Sequence, residues 1–155
     1  YGSRHYVETA RRDGSLGSIK AVLLIDMIAD RNLSIRRDTN STRWLTDIFW
    51  NAAHGIDGGA AFLAESTQIE DDHVPFLDAG LPAVDIIDLD YPQWHTATDT
   101  LDAVSARSLQ IVGDVLRGFA RLVVTQAMFL HDRQLGHATP PPDDAVKCRS
   151  RRASP

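Results

Sequence analysis

Cysteine is almost absent from this 155-residue chain, and the one thiol, Cys148, falls close to the end. The body therefore has neither a disulfide framework nor a thiolate metal site. Long apolar runs are missing too. Ala21–Ile25 and Ala60–Ala64 are strand-sized, far short of the ~20 residues that span a bilayer, so no transmembrane segment is expected. Basic charge is scarce where a fold would sit: residues 1–134 carry 19 acids against 12 Lys/Arg, and the last 21 residues carry 2 against 4. An acidic body excludes a general nucleic-acid binder, which needs a basic footprint. No glycine-rich phosphate cradle is present. Ser41, Ser66 and Ser105 lack the nucleophile-elbow surroundings of a serine hydrolase. No signal-peptide core precedes the folded pattern, and Tyr1 stands where an initiator methionine is usual. The chain reads as processed or as a piece of something longer, with a fragment the favoured expectation.

What is present suffices for one domain, since 43% of the residues are hydrophobic. Ser3–Arg12 has a short helical pattern stopped at Gly14. Ala21–Ile28 is a nearly continuous apolar run interrupted by Asp26, which predicts a strand buried on both faces. Leu33–Arg36 is a short strand or a loop. Asn40/Ser41 suit a helix cap, with Trp44, Leu45, Ile48, Phe49 and Ala52 as the following apolar stripe. Ala60–Leu63 is a weak strand signal, and His73–Ala79 one or two helical turns closed by Gly80. Pro82–Ile87 is a further strand, and Asp88–Val104 a polar, turn-rich stretch. Ser105 to about Leu130 is a long helix with Leu109, Val112, Leu116, Phe119 and Val123 on one face, expected to lie across the sheet. The end, with Pro140-Pro141-Pro142 and Arg151-Arg152, has too little apolar content to fold. The expected division is a domain over 1–134 and a disordered tail over 135–155. Alternating helices and strands predict an α/β three-layer sandwich with a central, mostly parallel or mixed sheet.

In such sheets ligands gather beyond the carboxyl ends of strands, which puts Asp26 and the Asp88–His95 stretch on one plausible rim. Asp26 ends an otherwise apolar run; it serves a site, or it pairs with an arginine or caps a helix. Asp71 and Asp72 are adjacent, so an extended backbone sends them to opposite faces; either one also suits the N-cap of the helix opening at His73. His73 reads as a helix-start or packing histidine. Asp85 lies mid-strand between Val84 and Ile86, where an unpaired charge is unfavourable. His95 sits in a Tyr-Pro-Gln-Trp-His-Thr loop, as a surface histidine or as a metal ligand with Trp94 forming an apolar pocket wall. Asp99 either orients His95 through its second nitrogen or holds the loop together.

Leu-Leu-Ile-Asp26-Met-Ile, Asp71-Asp-His-Val-Pro-Phe, Gly80-Leu-Pro-Ala-Val and Trp94-His95-Thr occur in this order before a long helix. The set resembles the C-terminal part of zinc aminopeptidases and glutaminyl cyclases, over about residues 1 to 130. The resemblance implies a phosphorylase/hydrolase-like α/β fold and zinc, one or two ions. It makes His95 a zinc ligand, and Trp94 a lining residue of the substrate pocket. Asp26 and Asp71 become catalytic positions: Asp26 near the substrate's amino group, or on a second zinc in two-metal peptidases, and Asp71 in a proton-handling network. It also implies a peptide or protein amino terminus as substrate, and a secreted or periplasmic location.

The family pattern further requires an upstream aspartate ligand and a Gly-Glu-Glu segment that supplies the general base, and neither occurs here. Tyr1-Gly2-Ser3-Arg4-His5 resembles the stretch just after that segment. A catalytic zinc takes three protein ligands, so this chain offers an incomplete zinc site and is expected to be inactive by itself. Two chemistries compete in the complete protein. A metallopeptidase attacks the first peptide bond with activated water, whereas a glutaminyl-peptide cyclotransferase lets the α-amine attack the glutamine side-chain amide. The Trp-His-Thr and Asp-Asp-His-Val-Pro-Phe pair leans toward the cyclase-like branch. A non-catalytic interaction domain on the same fold is the alternative.

Overall fold

The computed structural model describes residues 2–134, and the tail expected over 135–155 lies outside them. Of the described residues, those up to Leu122 form one compact unit and those from Val123 belong to another; the core and the candidate site belong to the first.

The chain opens with helix α1 (Gly2–Asp13), which buries Val7 and Ala10 and places Arg11 and Arg12 in its last turn, where positive charge complements the helix dipole. Gly14 ends it at φ 81°, a left-handed conformation that suits glycine. Strand β1 (Val22–Asp26) pairs in parallel with β4 (Ala83–Ile87), in register from Val22 opposite Ala83 to Asp26 opposite Ile87. Strands β2 (Ile35–Asp38) and β3 (Phe62–Thr67) form a second parallel pair, with a register shift between Ile35 and Arg37. β2 packs beside β4, so the two pairs lie next to each other with β4 between β1 and β2. Every residue of β4 is buried, as a strand with neighbours on both sides requires. Helices α2 (Arg43–Ala53), α3 (Val74–Asp78) and α4 (Ala106–Gln134) complete the order. The expected α/β class with parallel sheet pairing is met.

An aromatic cluster holds α2 against the sheet and α4. Phe49 is fully buried, with ring centroids 5.7 Å from Phe62, 5.5 Å from Phe119 and 6.2 Å from Trp50. Trp50 donates its indole N–H to the Leu63 carbonyl at 2.7 Å, which satisfies the polar end of a largely apolar side chain. No helix among the described residues is long and apolar enough to cross a membrane.

Four sequence expectations shift in detail. β1 is half-buried rather than buried on both faces, and Asp26 at its end is exposed; its backbone ladder runs to β4 on one side. The cap of α2 is Thr42, without a side-chain capping bond, because Ser41 is drawn inward to Asp38 and Asp85. The α2 stripe is Leu45, Thr46, Phe49, Trp50 and Ala53, one step round from the expected one, which leaves Trp44 46% exposed. In α4 the buried face is Ser108, Val112, Val115 and Phe119, and Leu109 is exposed. That rotation lets the Ser108 hydroxyl donate to the Asp30 carbonyl at 2.6 Å.

Candidate active site

Asp26 and the loop that carries His95 leave the sheet at the same end, since β1 and β4 are parallel neighbours and Asp26 pairs with Ile87. The turn after β1 is tight: Asp26 Oδ1 accepts from the Met27 N–H at 2.8 Å. The loop after β4 begins at Asp88, fully buried, which accepts from the N–H groups of Ser34 (2.7 Å) and Asp90 (3.1 Å). Burial nevertheless holds its carboxyl above the usual range. Arg36 closes on Asp90 at 2.7 Å. On the far side of the loop, the Arg31 guanidinium donates to the carbonyls of Asp102 and Val104. The stretch is thus braced at both ends against the β1 and β2 side of the sheet.

Within it, the Tyr91 hydroxyl donates to Asp99 Oδ1 at 2.5 Å, which pushes the phenol up to about 12. Asp99 therefore holds the loop together, one of its two expected roles, through Tyr91 rather than His95. His95 is exposed and its ring packs on Trp94, centroids 4.7 Å apart at 47°. Trp94 is itself 51% exposed.

Among the described residues, two that are not glycine adopt positive φ: Met27 at 49° and His95 at 57°. L-residues reach this region at a cost of roughly 1–3 kcal/mol, and such residues cluster at functional sites. Here they fall on the residue after Asp26 and on His95 itself, at the carboxyl end of the β1–β4 pair.

Asp71 lies between β3 and α3, half-buried, its Oδ1 accepting from the Asp72 N–H at 2.7 Å. Asp72 accepts from the Ser3 hydroxyl at 2.6 Å. The two acids sit in a bend and turn rather than an extended stretch, and instead of facing opposite ways both line one cleft with Ser3, Arg4 and Glu70. Neither caps α3; the cap position belongs to His73.

Behind this rim is a buried group that the sequence reading missed as a unit. His73, fully buried, places Nε2 3.1 Å from Asp38 Oδ2 and Nδ1 3.6 Å from Asp85 Oδ2. Neither contact is an aligned hydrogen bond: Nε2 is within reach of Asp38 but off its line, and Nδ1 is too far from Asp85. Asp38 also accepts from the Asn40 N–H (3.0 Å), the Ser41 hydroxyl (2.7 Å) and the Ile69 N–H (3.0 Å). Burial works against its ionisation, but His73 and these donors outweigh burial and hold the carboxyl below its ordinary value. Burial likewise disfavours a charged imidazole, yet Asp38, Asp85 and Asp71 together raise His73. Asp85 has no hydrogen-bond donor on either carboxylate oxygen. Burial first, and then the negative charges of Asp71, Asp38 and Asp26, push it up to about 7 against the pull of His73. The charges of Asp26 and Asp71 thus both disfavour ionisation of Asp85. His95 is brought together with Trp94. Of the group, Asp85 left a readable signal, since a carboxylate between Val84 and Ile86 has to be paired or neutral, and His73 is the buried histidine at a helix start that its position suggested.

The zinc that the resemblance implies does not fit this chain's residues alone. Among the described residues no three His, Cys, Asp or Glu side chains are grouped to hold a metal ion.

The profile of peptidase family M28 matches residues 1–120. A solved glutaminyl cyclase from an Acidobacteriales bacterium is 46% identical, with a TM-score of 0.78 over 81% of this chain and 46% of its own. A glutaminyl-peptide cyclotransferase from Bos taurus is 29% identical over 74% of this chain and 26% of its length. A leucine aminopeptidase precursor from Bacteroides thetaiotaomicron is 25% identical, with a TM-score of 0.61 over 64% of this chain and 37% of its own. The chain thus spans less than half the length of each of these proteins. A family profile covering most of the chain, relatives of the kind that the four motifs resemble, and the shared parallel α/β fold agree: the chain belongs to peptidase family M28.

Proposed function

We propose that residues 1–134 form the C-terminal part of the catalytic domain of a zinc enzyme acting at peptide amino termini, and that its reaction is glutaminyl-peptide cyclisation. The observation that carries this reading is the match to peptidase family M28 over residues 1–120, with Asp26 and the His95 loop leaving neighbouring parallel strands at the same end. The likeness to glutaminyl cyclases supports the choice of reaction.

In cyclisation the α-amine of an N-terminal glutamine attacks the side-chain amide carbon. The amine loses a proton, and ammonia leaves with one. This chain's part is to hold the neutral α-amine, whose N–H groups carboxylates can accept, and to move that proton. Asp26 and Asp71 supply negative charge at the rim, and Asp85 behind them holds a carboxyl raised to about 7. A group with that affinity exchanges a proton near neutral pH, where proton transfer is most effective. Trp94 offers an apolar surface beside the site. His95 is the zinc ligand this chain contributes, and the remaining ligands would come from outside its described residues.

Aminopeptidase activity is the second reading, favoured by the likeness to the leucine aminopeptidase precursor. The test is to give the complete gene product two peptides, one beginning with glutamine and one with leucine. Pyroglutamate and ammonia from the first, with no free amino acid from either, support cyclisation. Release of free leucine supports the peptidase, and neither product refutes both.

A further inference from the structure

The segment that presents Asp71 is pinned at two points, and Asp38 is at both. At one end Ile69, buried, donates its N–H to Asp38 Oδ1 at 3.0 Å and accepts on its carbonyl from Asn40 Nδ2 at 2.6 Å. At the other end the His73 imidazole lies between Asp38 Oδ2 at 3.1 Å and Asp85 Oδ2 at 3.6 Å. Between the pins, Glu70 and Asp72 are exposed and Asp71 half-buried. Asp38 is in turn fixed by the Ser41 hydroxyl, which also accepts from the Asp85 N–H at 2.9 Å. One buried network therefore joins the end of β2, the middle of β4 and both feet of a short loop. Packing alone would fill this space with an aliphatic side chain more cheaply, because a buried ion pair rarely adds stability over apolar neighbours.

We propose that His73 and Asp38 are positioning residues for the reaction: together they clasp the Ile69–His73 loop so that Asp71 is held at a fixed place on the rim. Neither touches substrate. The proposal rests on the functional reading above for its consequence in rate, but its structural content stands apart from it. Displacing a reacting group by about 1 Å costs up to a hundredfold in rate. A loosened clasp therefore lowers turnover while leaving the rest of the binding surface in place.

The experiment uses the complete gene product and compares wild type with His73→Gln and with Asn40→Ala, a milder change that removes only the Ile69 carbonyl's partner. His73→Gln keeps a donor but cannot bridge both carboxylates. It is expected to lower kcat roughly ten- to a hundredfold with KM moved less than about twofold. Asp71→Asn introduced on top should add much less than it does in wild type, since the loop is already displaced. Backbone amides of Glu70–Asp72 should exchange with solvent about tenfold faster or more in His73→Gln, and measurably faster in Asn40→Ala. If His73→Gln fails to fold, Asn40→Ala carries the same comparison with a several-fold loss of kcat. Unchanged kcat in a folded variant, or full additivity with Asp71→Asn, overturns the proposal. If wild type turns over neither peptide, the functional reading fails by itself. The exchange rates then decide the clasp, and unchanged protection of Glu70–Asp72 in both variants overturns it.

Discussion

Asp38→Asn and Asp85→Asn change the same buried group by one atom each and should differ sharply in stability. Asp38 Oδ1 receives two backbone N–H groups, and Oδ2 receives the Ser41 hydroxyl and faces His73. An asparagine that keeps its carbonyl toward Asn40 and Ile69 turns an NH2 group toward the imidazole. The imidazole, whose protonated form its neighbouring carboxylates favour, then loses the nearer of them and meets a donor. Removing one partner of a buried ion pair costs about 3–5 kcal/mol, a large part of the roughly 5–15 kcal/mol that holds a domain together. With a urea slope of roughly 2 kcal/mol per molar, the midpoint falls by about 2 M. Asp85 is different: no donor reaches its oxygens, and its surroundings push its carboxyl up to about 7. Asp85→Asn removes a charge that the site resists, so a change of about 1 kcal/mol or less is expected at neutral pH. The difference should move in favour of the variant as the pH rises. Urea denaturation followed by circular dichroism at pH 6, 7 and 8 reads all three quantities. Equal destabilisation by the two substitutions, or a greater loss from Asp85→Asn, would refute the assignment of charge within the group.

Three further outcomes are expected. The buried group should make the fold most stable on the acidic side of neutrality. Asp38 is held below 3.8, so its contribution is complete above that value and is lost as the pH falls through its folded value. Asp85, raised from 3.8 to about 7, costs stability as the pH climbs between those values. His73, raised above 6.5, loses its contribution as the pH rises through its folded value. The melting temperature should thus fall from pH 5 to pH 8, and a rise over that range would contradict these directions. Phe49→Ala empties the centre of the aromatic cluster and should cost about 3–5 kcal/mol in the same denaturation assay; under 1 kcal/mol would mean that α2 is not anchored there. Asp26→Asn, an exposed change, should leave stability within about 0.5 kcal/mol and still lower the rate of the complete protein by tenfold or more. Unaltered kcat would remove Asp26 from the site.

The parts of the fold that the sequence declared were those governed by periodicity and punctuation. Val22–Asp26 and Ala83–Ile87 were legible as apolar runs, and Gly14 and Gly80 marked stops that the backbone makes at positive φ. Helix faces were less legible. In α2 and α4 the buried positions include Thr46 and Ser108, polar residues that an apolar stripe passes over, so the predicted faces were turned aside. β3 was barely announced: Ala64, Glu65 and Ser66 are exposed, so no alternation of apolar and polar residues showed there. The rim acids and His95 could be named because each ends or follows a strand. Asp38 could not be. Its partners are 31 and 35 residues away at Ile69 and His73, and nothing local separates an aspartate that gathers a buried network from one that faces water.

The most direct test of the central claim is the zinc content and turnover of the complete gene product with His95→Ala. His95 is an exposed loop residue, so the variant should keep its fold by circular dichroism and its melting temperature. It should lose bound zinc, measured by elemental mass spectrometry, because removing one of three protein ligands abolishes tight binding. With the zinc should go the conversion of an N-terminal glutaminyl peptide to its pyroglutamyl form. A folded His95→Ala protein that retains its zinc and its full rate would contradict the account.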